Sequence, residues 1–408
     1  MSHRSVSVFI GVHLWLTFLS GQSFQQRGFV ELRPTFYPEA APGDSGRVVG
    51  EALFRYDASY KFAPWIKLSG VFDARTDSHR QVERQWRLDA QDRGLQRPAF
   101  SIRRLSATLN RGKWTLELGR QFIRWGKADL LNPTDRFAPR DYLSVVDNDF
   151  LGVTAARLTY EAKNDTLDLV YQPRFMPSRG PLLNQRWVVL PAGVPVSDGG
   201  SIFPGGPQFG ARWNRLAAGY EYSLSFFEGF NHLPLIAGTL SLTPLRATLQ
   251  RYYPQMRMYG GDLAVPLRWF TVKTEAAYFT SRTSTADEYV QYVIQLERMS
   301  GEWSFVGGYA GEYVTEKRAP LDFAPDRGLA RAFLGRAGYT IDANRSVAFE
   351  AAIRQNGEGV WTRAEYSQLL GQHWRATAGL TLIRGNESDF LGQYRRNSHF
   401  SLAFRYSF

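Results

Sequence analysis

The sequence predicts an all-β protein, a single transmembrane antiparallel β-barrel of about 18 strands, with about 16 as the alternative count. Stretches of about ten residues alternate between apolar and polar side chains, and helical periodicity is scarce. The polar faces carry full charges, which the dry core of a soluble β-sandwich could not hold without a large desolvation cost. The connections between stretches are either very short or long, an asymmetry typical of transmembrane barrels.

The composition narrows the class further. The chain has 408 residues, of which 44% are hydrophobic and 14% aromatic, and this length suits several soluble domains or one large β-domain. Cysteine is absent, so disulfides and thiolate metal sites are excluded. The net charge of +11 comes mainly from arginines scattered among acidic residues. This pattern argues against nucleic-acid binding, which favours clustered basic residues.

Residues 1–23 have the features of a cleaved signal peptide. A short basic start is followed by an apolar run at 6–19, and small residues precede a cleavage site after Ser23. The alternative is an N-terminal anchor helix, but the run is short for a membrane span and contains His13. We therefore expect residues 24–408 to form the barrel.

The strands follow from alternation along the rest of the chain. Clear examples are residues 52–62, 113–121, 166–172, 216–226, 345–354 and 373–383. Long connections are predicted near residues 38–46, 76–98, 126–149, 177–211, 282–287, 317–329 and 385–395. If both termini lie on one side of the membrane, the strand count must be even. A count of about 18 then requires 237–252 to be one long strand across Pro244, whereas a turn at Pro244 would make the count odd.

The chain ends with FSLAFRYSF, residues 400–408, in which Phe400, Phe404, Tyr406 and Phe408 share one face of a strand. This segment resembles the C-terminal recognition strand of Gram-negative outer-membrane proteins. The resemblance implies that the barrel-assembly machinery recognises the strand and that it closes the barrel against the first one. It also implies an integral outer-membrane protein in contact with lipid and lipopolysaccharide, with short periplasmic turns and long extracellular loops.

Two segments, 119–143 and 173–187, resemble loops of porin-like outer-membrane proteins, a group that includes alginate-export-like barrels. The resemblance implies a solute channel in which these loops fold inward and narrow the pore. The residues of the candidate constriction loop are Arg124, Trp125, Asp129, Asp135, Arg136, Arg140 and Asp141. Two alternatives remain open at this point: an ordered, salt-bridged loop, or a divalent-cation site built from clustered carboxylates.

A barrel of this size leaves an aqueous lumen, so the inward-facing charges are candidate pore-lining residues. Strand alternation predicts that these are Arg55, Arg157, Arg174, Arg215, Glu221, Arg336, Glu350, Arg354, Arg363, Glu365, Arg375 and Arg405. Opposed rows of acidic and basic groups can filter ions and orient dipolar solutes. Alternatively, the same groups pair across neighbouring strands and only neutralise one another within the wall.

The expected function is a porin-like channel for passive diffusion of small hydrophilic solutes. The alternative is a non-conducting or plugged barrel with a structural or polysaccharide-export role. An enzyme is not expected, because the histidines are scattered and the protease-like tetrapeptide at 43–46 lies in a Pro/Gly-rich turn. We expect no catalytic residue, no metal, no cofactor and no nucleic-acid partner.

Overall fold

The computed structural model of the chain describes residues 23–189, 195–243, 245–318 and 324–408. Apart from Ser23, the predicted signal peptide lies outside the described residues. The first strand begins at Phe24, immediately after the predicted cleavage site. No helix in the described ranges is long and apolar enough to cross a membrane.

The chain forms strands along nearly its whole length. In chain order these are β1 (Phe24–Phe36), β2 (Val48–Ala63), β3 (Ile66–Asp77), β4 (Leu88–Asp89), β5 (Phe100–Arg111), β6 (Trp114–Gln121), β7 (Arg140–Asp141), β8 (Asp149–Phe150), β9 (Val153–Glu161), β10 (Asp165–Gln172), β11 (Val196–Ile202), β12 (Gln208–Ala217), β13 (Tyr220–Phe230), β14 (Leu235–Leu242), β15 (Leu245–Tyr252), β16 (Gln255–Pro266), β17 (Thr271–Thr280), β18 (Glu288–Ser300), β19 (Trp303–Glu316), β20 (Ala332–Asp342), β21 (Arg345–Arg354), β22 (Gly359–Leu370), β23 (Trp374–Gly385) and β24 (His399–Ser407). A four-residue helix, α1 (Pro325–Gly328), and a 3-10 helix (Gly392–Asn397) lie in connections.

All of these strands except β4, β7, β8, β11, β14 and β15 form one closed antiparallel barrel. Each barrel strand pairs with its neighbours in the chain, and β24 closes the sheet against β1. The count of 18 is therefore confirmed. Short turns of two to four residues lie at one end of the barrel. The longer connections lie at the other end, which we call the external end.

The prediction that 237–252 forms one long strand is wrong. The segment is instead a hairpin in which Leu242 lies opposite Leu245, with β14 and β15 as its arms. β15 also pairs in parallel with β11, and the three strands form a small sheet separate from the barrel wall. Pro244 itself lies outside the described residues.

A second deviation keeps the total at 18. The alternating stretch 216–226 is not one strand but spans the turn between β12 and β13 at residues 218–219. Gly219 has a φ of 87°, a left-handed conformation that glycine adopts without strain. The missed turn and the spurious long strand change the strand count in opposite directions.

The outer face of the barrel is apolar. Leu32, Leu224 and Leu380 are each about half exposed, as expected for side chains that face lipid acyl chains. Trp65, Trp114, Trp269, Trp303 and Trp374 are also exposed and lie in or beside the short turns. Such a ring of tryptophans is typical of a barrel's membrane interface.

The terminal residue seals the junction between the first and last strands. Phe408 and Gly28 exchange two backbone hydrogen bonds, of 2.9 and 3.0 Å. A Cβ at position 28 would lie 2.6 Å from the ring of Phe408, so only glycine leaves room for that ring against β1. Phe400 and Phe404 face outward on the same strand. The C-terminal strand thus closes the barrel, and its recognition by assembly machinery stays a prediction.

The largest buried apolar cluster lies inside the barrel. It joins Ile123, Trp125 and Phe137, from the connection 122–152, to inward residues of the wall such as Phe227 and Met258. We call this connection the inner loop. It fills the lumen on the side of β9–β18 and leaves the opposite side, β19–β24 with β1–β3, for the cavities described below.

Candidate functional site in the barrel lumen

Glu275 on β17 fixes the tip of the inner loop. Its carboxylate accepts hydrogen bonds from the backbone N–H groups of Lys127, Ala128 and Thr134, at 3.1, 3.3 and 2.8 Å. The hydroxyl of Thr134 donates a fourth bond, of 2.8 Å. The acceptor-only carboxylate suits a loop whose N–H groups have no strand partner. These contacts carry the loop from β6 across the lumen to β17.

Inward charges of the wall support the rest of the loop. The indole N–H of Trp125, which is 1% exposed, donates to Asp168 on β10 at 3.2 Å. Asp168 also accepts from Arg157 at 3.0 Å. The ammonium of Lys127 lies 2.9 Å from Glu221 and 3.1 Å from Asp262. Arg157 and Glu221 therefore face inward as predicted, but they hold the loop rather than line open lumen.

The carboxylates of the inner loop form ion pairs with separate basic residues. Asp129 pairs with Lys273 at 2.8 Å, and Asp135 lies 3.4 Å from Arg124. In the described residues, no group of three or more His, Asp or Glu side chains is arranged to hold a metal ion. The arrangement matches the ordered, salt-bridged alternative and separates the carboxylates that a divalent-cation site would have to bring together.

Asp141 ties the inner loop to two other external connections. It accepts from Arg97 at 2.8 Å and from Arg179 at 2.6 Å, and Arg179 also contacts Asp92. Burial alone would raise the pKa of Asp141, but the charges of Arg97 and Arg179 outweigh it and hold that pKa well below its usual range. The second predicted segment, 173–187, is thereby packed onto the inner loop through Arg179.

Two arginines of the loop stack on one ring. The guanidinium groups of Arg124 and Arg140 lie 4.4 and 4.2 Å from the centre of the Phe150 ring. Arg140 also donates to Asn148 at 2.8 Å. Arg136 lies 5.1 Å from the ring of Phe279 on β17. The arginines of the predicted constriction loop are thus held by rings and amides as well as by acids.

The end of the inner loop presents acidic groups to a basic wall. Asp147 lies 3.1 Å from Arg33 on β1 and 3.7 Å from Arg363 on β22. Asp149 lies 2.6 Å from Arg103 on β5 and 4.0 Å from Arg55 on β2. Burial would raise the pKa of Asp149, but the neighbouring guanidinium groups lower it, so this carboxylate stays ionised.

These contacts border a cavity of about 420 Å³ on the side of β22–β24 and β1–β3, which we call the charged cavity. Its wall carries Arg55, Arg363, Glu365, Arg375 and Arg405, all of them predicted pore-lining residues. Most of these charges are paired, as Arg55 is with Asp73 at 2.7 Å, Arg405 with Glu31 at 2.7 Å and Arg363 with Glu365 at 2.9 Å.

Arg375 differs from its neighbours in the charged cavity. It lies directly opposite Arg405 in the register of β23 and β24. Its guanidinium has no ion pair or side-chain hydrogen bond within the described part of the chain, and the residue is exposed to the lumen beside the turn 371–373. Arg375 is therefore an inward charge that remains free to attract a passing anion.

A second cavity, of about 580 Å³, adjoins the charged cavity at Asn148, which lines both. We call it the mixed cavity, because its walls are partly apolar and partly charged. Arg336 and Glu350, two predicted pore-lining residues, form a 3.4 Å pair on its wall. Asp129, Asp135, Arg136 and Arg140 of the inner loop line its other side.

Three predicted pore-lining residues lie elsewhere. Arg174 follows Pro173 just beyond β10 and belongs to the external connection, not to the wall. Arg215 faces outward and lies 3.5 Å from Asp165 near a short turn. The missed turn explains this error, since Leu216 pairs with Glu221 and the inward parity therefore changes between β12 and β13. Arg354 points inward, but it is bound to Asp389 at 3.0 Å at the external end.

Several lumen residues are missing from the predicted set. Arg75 and Arg97 line the charged cavity. Asp147 and Asp149 were visible only as members of an acidic loop, since nothing local shows which wall a loop residue will meet. Arg75 was in principle detectable, because it shares a strand face with Asp73.

No protein-family model matches the chain, and no curated protein matches it either. Among solved structures, it is similar to a BenF-like porin from Pseudomonas fluorescens Pf-5, with 10% identity, a TM-score of 0.56, and coverage of 94% of this chain and 98% of that one. Pseudomonas aeruginosa OccK3 (OpdO) matches with 10% identity, TM-score 0.53 and 94% and 96% coverage. Acinetobacter baumannii OccAB3 matches with 8% identity, TM-score 0.52 and 94% and 99% coverage.

These likenesses show the fold, that of an outer-membrane porin barrel. The closed barrel and its apolar outer belt agree with this fold and with the predicted C-terminal strand. The chain is accordingly an integral β-barrel of the Gram-negative outer membrane.

Proposed function

We propose that this barrel is a porin-like channel through which small hydrophilic solutes diffuse passively. The observation that carries the proposal is the asymmetric filling of the lumen. The inner loop occupies one side, and the two adjoining cavities remain against the other, lined by ionised side chains. A barrel of this strand number is wide enough to hold water beside such a loop.

The mechanism needs no reacting group. A solute that enters the charged cavity exchanges part of its hydration shell for contacts with guanidinium and carboxylate groups. Asp147 and Asp149 line this cavity on the side of the inner loop and form ion pairs with arginines of the wall, so the field there runs transverse to the barrel axis. Such a field orients dipolar solutes, and the contacts must remain weak enough to release them.

A plugged or structural barrel is the second candidate. The observation that favours it is the set of contacts among the external connections. Arg179 joins three of them, and Arg186 stacks 3.6 Å from the ring of Tyr37 while its backbone N–H donates to Asp44 at 3.0 Å. Such contacts would hold the external mouth closed if they persist in the membrane.

Solute flux separates the two candidates. The purified, refolded protein is placed in liposomes, and swelling is measured with neutral sugars of increasing size. The channel proposal predicts swelling that falls steeply with solute size, because the cavities are narrow. Heat-modifiable mobility on a gel shows that the protein is folded. If such folded protein gives the same swelling as empty liposomes, the channel proposal is overturned and the plugged barrel is favoured.

A further inference from the structure

An apolar row runs along the inner wall at the external end of the mixed cavity. The strand register places Leu334, Ala352, Trp361 and Ile383 side by side on β20–β23. The next inward row, one step toward the short turns, contains Arg336, Glu350 and Arg363. The apolar row therefore borders the charged row directly, and Trp361 is its half-buried member, whereas Leu334, Ala352 and Ile383 are buried.

The loops extend this row into a patch. Leu130 and Leu131 of the inner loop, with Val146 and Phe390, pack around Leu334 and Trp361. We call these six residues the apolar patch. All six line the mixed cavity. Apolar surface exposed to a water-filled lumen is unfavourable, so a ligand that covers it gains binding free energy.

Trp361 contributes the largest ring of the patch. Its indole Nε1 is shielded from solvent and has no hydrogen-bond partner within the described part of the chain. A solute in the cavity therefore contacts the ring and not this donor. The patch offers an apolar surface in which an aromatic ring takes part.

The charges around the mixed cavity largely compensate one another. Arg336 pairs with Glu350, and Asp129 pairs with Lys273, which also pairs with Glu297. Asp135 accepts from the backbone N–H of Trp125 at 3.1 Å and lies near Arg124. The cavity therefore favours a solute without net charge.

We propose that the apolar patch is a binding subsite for neutral amphipathic solutes, which rests on the proposed channel function. An aromatic or branched aliphatic face of the solute lies against Leu334 and Trp361. The polar remainder points toward the row of Arg336 and Glu350, from which it leaves through the charged cavity.

The test is blockade of the single-channel current by two matched solutes, phenyl β-D-glucoside and methyl β-D-glucoside. Both have the same sugar, and only the first has a ring. We expect the phenyl compound to reside about three to ten times longer in the wild-type channel, the size of an aromatic contact. Trp361→Ala removes the ring, so it shortens that residence several-fold. Leu334→Asn keeps the volume and removes the difference between the two solutes.

Trp374→Ala is the matched control. This residue lies on the outer face beside the turn 371–373, so the variant should leave both residence times unchanged. Equal residence of the two glucosides in the wild-type channel would overturn the subsite, and this comparison needs no variant to fold. Residence times unaffected by both lumen variants would do the same. A folded barrel without any current would instead overturn the channel itself.

Discussion

At the scale of single residues, Asp147 is one of the two carboxylates through which the end of the inner loop contacts the basic wall. It lies between Arg33 and Arg363, on strands that border the charged cavity from both sides. We predict that Asp147→Asn raises the preference for anions, by up to about fivefold in permeability ratio, since one unit charge acts at most with about 1 kcal/mol in a watery lumen. The reversal potential in a salt gradient measures this ratio.

Asp342→Asn is the control for that variant. Asp342 pairs with Arg345 beside a short turn, away from the lumen cavities. The substitution removes the same charge from the protein as Asp147→Asn does. An equal shift of the reversal potential in both variants would show that total charge matters, and not the position of Asp147.

Leu380 tests which face of β23 meets lipid. It is about half exposed on the outer face, near the middle of the strand, whereas Thr377 faces the charged cavity. Leu380→Lys should lower the free energy of unfolding by about 2–4 kcal/mol, because the ammonium enters the hydrocarbon layer. Thr377→Lys should lower the free energy of unfolding far less, because its ammonium faces the lumen. Equilibrium unfolding in lipid vesicles measures both, and equal losses would contradict the strand orientation.

His232 makes the external packing sensitive to pH. Its ring nitrogens lie 2.5 Å from the carbonyl oxygen of Met176 and 2.8 Å from that of Arg136. Burial lowers the pKa of His232 from 6.5 to about 4. The folded state therefore binds fewer protons than the unfolded one. The contribution of His232 to the free energy of unfolding is fully present above about pH 6.5, and up to about 3 kcal/mol of it is lost as the pH drops to about 4.

Hydrogen exchange near residues 176–178 and 231–233, corrected for intrinsic rates, measures this loss. Burial raises the pKa of the Asp135 carboxyl. This group therefore makes the folded state more stable as the pH falls, opposite to the effect of His232. The His232→Gln variant isolates the histidine and should reduce the pH dependence between 6.5 and 4. An unchanged pH dependence in this variant would assign the effect to other groups.

At the scale of elements, the inner loop depends on Glu275. This carboxylate accepts four hydrogen bonds from the loop, each worth roughly 1.5–3 kcal/mol when the acceptor is charged. We predict that Glu275→Ala frees the loop from β17 and gives a larger, noisier conductance while the barrel stays folded.

Glu161→Ala serves as control for the loop variant, because Glu161 is an exposed residue at the other end of β9, beside a short turn. Current noise and mean conductance of both variants are compared with the wild type. A Glu275→Ala channel that keeps the wild-type conductance and noise would mean that the loop is held by its apolar cluster alone.

The elements also show what the sequence can predict. Alternation determines the inward face of a strand wherever its limits are known, and Arg55, Arg336 and Arg405 lie on the face that it assigns to them. The same rule failed at Arg215, because one unnoticed turn at Gly219 reverses the parity of all preceding residues. The C-terminal strand was predictable because its pattern is local.

Contacts between distant segments were not predictable. The small sheet of β11, β14 and β15 joins residues more than 30 positions apart, and its amphipathic arms resemble barrel strands. The partners of the loop carboxylates likewise depend on how the inner loop crosses the lumen. Sequence alternation describes single strands and carries no information on where a loop ends against the opposite wall.

At the scale of the whole molecule, the closed barrel wall and the loop inside it act together. Pairing of β1 with β24 closes the 18 strands and leaves the barrel wall without a free strand edge, as membrane lipid requires. The inner loop then converts a wide lumen into two cavities with different linings, one charged and one partly apolar. In the proposed channel, the barrel supplies the pore and the loop supplies its selectivity.

The most direct test is single-channel recording of the purified, refolded protein in a planar bilayer with asymmetric KCl. The account predicts steady, discrete conductance steps. In Arg375→Glu the reversal potential should shift in the direction of cation preference, because this variant replaces an unpaired lumen cation with an anion. A barrel that is heat-modifiable, and therefore folded, but never conducts would contradict the account and leave the plugged, structural barrel as the explanation.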